Sequence, residues 1–215
     1  MTSWLASSRT LFMERGCKCT TRGSARMPVA TDLMTADQLV SYNARGMRTE
    51  LVRGRLMVRE PAGYRHGSIA ARVLSSISAF LETDQVARSA AYPLGDVLAA
   101  ETGFTLQRSP DTVRAPDVAF VAWDRRPTST TGFAELAPDL AVEVLSASDR
   151  PGEVLAKVAD WLSAGSTLVW VIDPARRLVR VYRGDGSASI VSDRMAIGGE
   201  ATLPGFVLSL DLLFG

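Results

Sequence analysis

The chain has 215 residues, 47% hydrophobic and 22% charged, enough for one domain with a well-buried core and too few for two comfortable ones. Its 24 Lys and Arg nearly balance 23 Asp and Glu, leaving a net charge of +1, so any nucleic-acid contact must come from a local basic patch and not from bulk charge. No apolar run approaches the roughly 20 residues that cross a bilayer as a helix, which points to a soluble, cytoplasmic protein with no membrane partner.

Cys17 and Cys19 form an isolated CxC with no second Cys or His pair at metal-site spacing, which argues against zinc. Residues 1–26 are rich in Ser, Thr and Arg, hold one acid, Glu14, and lack an apolar stretch, so they are not a secretion signal. Initiation at Met27 or Met34 is expected, with 1–33 a disordered extension and 34–215 the folded domain. Thr35-x-x-Gln38 resembles a capping box and predicts a short helix from Ala36 to Asn43, stopped by Gly46. Glu50 to Val58 reads as a hairpin turning at Gly54. From Gly67 to Thr83, Ile69, Val73, Ile77, Phe80 and Leu81 recur at helical spacing, and His66 precedes the first turn.

Residues 90–123 alternate short apolar pieces with turns and predict a meander, Ala91–Leu98, Gly103–Leu106 and Pro116–Trp123, with Ser109–Arg114 as a polar connection. Asp124 to Glu135 is a loop. Leu140 to Leu145 is apolar except for Glu143, the pattern of a central strand buried on both faces. A helix from Pro151 to Ala164 follows, capped by Asp149 or Ser148 and closed by Gly165. Thr167–Ile172 and Leu178–Arg183 are strands joined by a turn, and the remainder closes as a β segment with a short terminal helix or turn. This order describes an α/β (α+β) domain with helices covering a mixed sheet.

An ionised carboxylate buried in a core strand needs a cation nearby, so Glu143 is either half of a structural ion pair or a metal ligand. Asp117 opens another apolar strand; if that strand and the Glu143 strand are neighbours, about 4.8 Å apart, the two carboxylates can share one hard cation such as Mg²⁺ or Mn²⁺. Asp139 is the rival, but four residues of strand put it about 13 Å from Glu143, so it reads as a strand-start residue. Lys157 lies about 100° from the centre of the apolar stripe of Val154, Leu155, Val158, Trp161 and Leu162. From that flank its ammonium can reach the strand ends, although a solvated lysine has the same spacing. It is one of two lysines in the chain. Glu50 is a third acid, with a surface pair to Arg53 or Arg55 as its alternative. His66, the only histidine, suits proton relay or phosphate contact as well as a structural role. Arg53, Arg55, Arg59, Arg65 and Arg72 are candidate phosphate contacts or simply solvated.

Five segments, taken in order, carry a family likeness: Glu50-Leu-Val-Arg-Gly54, Ala115-Pro-Asp-Val-Ala-Phe-Val121, Pro138-Asp-Leu-Ala-Val-Glu-Val-Leu-Ser146, Glu153-Val-Leu-Ala-Lys157 and Trp170-Val-Ile-Asp-Pro174. Together they resemble the Uma2 family, placed in the PD-(D/E)XK nuclease superfamily, over about residues 33–213. The resemblance implies a restriction-endonuclease-like fold, a mixed curved central sheet flanked by helices. It also implies a metal-dependent endonuclease acting on nucleic acid, DNA first, either as a monomer or as a homodimer with two sites. Asp117 is then the first acid, Glu143 the second and Lys157 the motif lysine, with Glu50 and His66 at further matched positions. The position two after Glu143 is Leu145, so the lysine must reach back from the following helix. The alternative is a catalytically silent nucleic-acid-binding or interaction module with the same fold.

Overall fold

The computed structural model describes residues 33–42, 47–129, 131–192 and 194–215; the expected N-terminal extension, its CxC and Gly46 lie outside them. Helix α1, Ala36–Val40, starts on the expected capping box, with the Thr35 hydroxyl accepting from the Gln38 N–H and the Gln38 side chain returning to the Thr35 N–H. Strands β1, Arg48–Val52, and β2, Arg55–Arg59, form the expected hairpin. Its two-residue turn places Arg53 and Gly54 at φ 50° and 75°, the mirror-image turn that matches strand twist.

Helix α2 runs from Tyr64 to Ala87, burying Ile69, Val73, Ile77 and Leu81. It is longer at both ends than the apolar periodicity predicts, and His66 lies inside its first turn rather than before it. Neither end has a side-chain cap, so packing and not a local signal sets its length.

The expected meander does not form. Strands β3 (Gly95–Ala99) and β6 (Val118–Ala122) pair with each other, while β4 (Phe104–Gln107) and β5 (Thr112–Arg114), between them in sequence, join the first hairpin in a separate sheet of order β2-β1-β5-β4. Thus the supposed polar connection at 109–114 contains a strand whose three residues are all buried. A short 3₁₀ turn, Trp123–Arg125, leads into the loop before β7, Leu140–Val144.

Helix α3, Pro151–Ser163, joins β7 to β8 (Leu168–Asp173), which pair in parallel; a parallel pair requires such a crossover. Arg150 takes the N-cap position with no side-chain bond, because Asp149 Oδ2 instead accepts from the Ser146 N–H and hydroxyl. Strands β9 (Leu178–Arg183) and β10 (Ala188–Ser192) complete a six-stranded mixed sheet of order β10-β9-β8-β7-β6-β3. Strands β11 (Ala196–Gly199) and β12 (Leu203–Ser209) form a small pair before α4, Leu210–Phe214. The result is the expected mixed sheet with helices packed against it. Among the described residues no helix is long and apolar enough to cross a membrane.

Strand alternation then assigns sides. Leu140, Val142 and Val144 of β7 enter the apolar cluster shared with α2 and α4, whereas Ala141 enters the cluster with Val158 and Trp161 of α3. Glu143 has the parity of Ala141, so it must face α3.

Candidate active site

Glu143 is 7% exposed and its two oxygens are both met by α3. Lys157 Nζ donates to Oε2 at 2.9 Å and Trp161 Nε1 to Oε1 at 3.0 Å, donors spaced i, i+4 on one helix face. The apolar stripe drawn from periodicity is therefore turned slightly: Leu155 is exposed and Lys157 points inward. The same ammonium lies 3.3 Å from Glu50 Oε1, so one lysine bridges acids from two sheets.

Glu50, on β1, pairs with neither Arg53 nor Arg55. Its Oε2 accepts from Arg114 Nη1 at 2.9 Å and its Oε1 from the Ala115 N–H at 3.2 Å, while Arg114 also holds Asp160 through Nε and Nη2. Burial pushes the Glu50 carboxyl up, but Lys157, then Arg114 and the Ala115 N–H, outweigh it and keep it below the usual range.

Asp117 sits one residue before β6. Its N–H donates to the Val142 carbonyl at the end of the β6–β7 ladder, beside the last pair Val118↔Val142. Its Oδ1 accepts from Arg48 Nη1 at 3.0 Å; its Oδ2 takes the Val144 N–H at 2.7 Å and lies 3.0 Å from His66 Nε2. Burial raises this carboxyl as well, yet the hydrogen bond and electrostatic pull of His66, the Val144 N–H and Arg48 hold it below its ordinary value of 3.8. A depressed carboxyl adds stability that is complete above that value and is lost as pH falls through the lower folded one. Asp117→Asn is therefore expected to lower the melting temperature at neutral pH and to converge with the parent in strong acid; melting curves that stay parallel from pH 7 into acid would refute this coupling.

Glu143 behaves oppositely. Burial raises its carboxyl, Lys157 lowers it, and Asp117 and Glu50 raise it again, for a net position above the usual range. Lys157 is driven down by burial but up by Glu143 and Glu50, which win and keep it an ammonium.

The structure thus brings together all five residues singled out in the sequence, Glu50, His66, Asp117, Glu143 and Lys157, and adds Arg48, Arg114 and Trp161. Arg48 shares the strand parity of Glu50, and Trp161 is one turn from Lys157; both relations were present in the sequence but pointed to no partner. Asp139 stays outside: it accepts from the Ala122 N–H and Arg125, a strand-start role.

Among the described residues no group of three His, Cys, Asp or Glu side chains is gathered closely enough to hold an ion alone. The donor chemistry nevertheless fits a two-carboxylate site: Asp117 lies near enough to Glu143 for its charge to raise the Glu143 carboxyl further, and Mg²⁺ usually takes one or two carboxylates and completes its shell with water and phosphate.

Comparison with known proteins bears on the family and the fold. The profile of the Uma2 family, described as "Putative restriction endonuclease", matches residues 36–211. The fold is similar to a crystal structure described as "a putative nuclease belonging to DUF820" from Anabaena variabilis, with a TM-score of 0.71 at 20% identity over 84% of this chain and 97% of that one. No curated protein matches the chain.

Proposed function

The chain belongs to the Uma2 family, and from that premise we propose that it is a metal-dependent endonuclease hydrolysing phosphodiester bonds in DNA. The observation that carries this reading is the buried Lys157 ammonium set between Glu143 and Glu50, with Asp117 bonded to the Val144 N–H next to Glu143. Two buried acids from different sheets sharing one buried lysine are costly to keep as mere structure.

Asp117 and Glu143 would hold the cation, Mg²⁺ or Mn²⁺. When bound, such a cation supplies Lewis-acid polarisation of a phosphoryl oxygen and a more acidic water. Lys157, kept protonated by its two acids, acts as a fixed positive charge for the attacked phosphate and not as a base. Glu50 fixes that ammonium, with Arg114 holding Glu50 in turn. His66 and the Val144 N–H fix one oxygen of Asp117, leaving the orientation of the other to Arg48.

The test is incubation of purified protein with supercoiled plasmid in Mg²⁺ or Mn²⁺ beside the same reaction in EDTA. Metal-dependent nicking is expected. No nicking of DNA under any metal refutes the reading and leaves a binding module, a reading favoured by the donors already engaging both oxygens of Asp117 and of Glu143.

A further inference from the structure

Beside the acids, the β1–β2 hairpin carries two arginines that face each other at the edge of the site. The register pairs Arg48 directly with Arg59, one position pair beyond Glu50↔Met57 on the same face. Like charges directly opposite on antiparallel strands destabilise a sheet; here carboxylates flank both, Asp117 on Arg48 and Glu50, Asp149 and Glu153 around Arg59.

The two guanidiniums are satisfied very differently from the other arginines nearby. Arg114 is fully bonded between Glu50 and Asp160, and Arg65 and Arg72 each donate to a main-chain carbonyl, of Pro174 and Leu213. Those two candidate phosphate contacts are therefore structural. Arg59, by contrast, approaches Glu50 at 3.8 Å, Asp149 at 3.5 Å and Glu153 at 3.7 Å, none a hydrogen bond, and its buried Nε has no partner. Arg48 makes one good bond, to Asp117 Oδ1, and a long one of 3.4 Å to the Ala115 carbonyl. Their side chains remain 19% and 28% exposed, so both can be reached from solvent at the edge of the acid cluster.

Resting on the nuclease reading, we propose that Arg48 and Arg59 form a guanidinium clamp for the phosphodiester backbone of the substrate. A planar fork of donors matches phosphate oxygens in pairs, and Arg59, held by long ion pairs without a hydrogen bond, loses little when a phosphate arrives. The clamp binds backbone and so carries no base preference.

The experiment measures binding of a short labelled DNA duplex against salt concentration, in EDTA and again with calcium in place of magnesium. Each phosphate contact contributes about 0.9 to the slope of log affinity against log salt on duplex DNA. Arg48→Met and Arg59→Met are each expected to reduce the slope by about that amount. Arg48→Lys and Arg59→Lys should keep the slope while weakening binding several-fold, and Arg88→Met, which loses only a pair with Asp84 at the far end of α2, should change neither. Should Arg48→Met fail to fold because Asp117 loses a partner, Arg59→Met decides alone, since it removes no hydrogen bond. A folded Arg59→Met protein with the parental slope overturns the clamp and leaves the nuclease reading intact. A parental protein that nicks plasmid but shows no salt-dependent duplex binding likewise overturns only the clamp; one that neither binds nor nicks overturns both.

Discussion

Replacing Glu143 with glutamine is expected to abolish metal-dependent nicking while raising the melting temperature at neutral pH. A bound cation contributes several kcal/mol of transition-state stabilisation, and at about 1.4 kcal/mol per decade of rate its loss is on the order of 10³-fold. The gain in stability follows from the elevated Glu143 carboxyl. A carboxyl whose folded pKa is raised favours the fold while protonated, and that contribution is lost as pH rises through the folded value. Burial makes the Glu143 charge costly to the fold, and glutamine removes that charge while its amide oxygen can still accept from Trp161 Nε1. Thermal melts with and without Mg²⁺, beside plasmid nicking, check both halves: Mg²⁺ should stabilise the parent and leave the variant unmoved. A variant that nicks like the parent, or that melts lower at neutral pH, would contradict the assignment of Glu143 as a ligand held at a cost to stability.

Lys157→Met should abolish nicking by a different route, and here the fold suffers too. Lys157 is the cation shared by two buried acids, with side-chain exposures of 12%, 9% and 5% for Lys157, Glu143 and Glu50. Breaking a buried pair by removing one partner costs about 3 kcal/mol or more, a fall on the order of 10 °C for a chain this size. The deficit should shrink as pH is lowered, because Glu143, already elevated, takes up a proton. Combining Lys157→Met with Glu143→Gln should recover most of the stability, since Glu50 keeps Arg114, and none of the activity. Calorimetry on the parent, both single variants and the double variant gives the coupling directly. Additive effects of the two substitutions would mean that Lys157 and Glu143 are independent, and the bridged site would not exist.

Local signals set much of this molecule. The capping box at Thr35, the hairpin at Gly54, the helix opened by Pro151 and the apolar strand interrupted by Glu143 each depend on residues a few positions apart, and each lies where the sequence puts it. Glu143 and Asp117 were equally visible, because a charge in an apolar run is conspicuous wherever the chain goes, whereas Lys157 and Glu50 had solvated alternatives with the same pattern. Partners were another matter. Arg114 meets Glu50 across 64 residues and Arg48 meets Asp117 across 69, and no periodicity distinguishes those arginines from Arg53 or Arg55. The same limit hid the division of β3 to β6 between two sheets, and the small rotation of α3 that turns Lys157 inward and leaves Leu155 outside. Sequence by itself determined the elements and the charges, since backbone propensity and burial pattern act over a few residues. Only the tertiary structure decided which charges meet, because strand register and helix rotation are fixed by packing against residues far away in the chain.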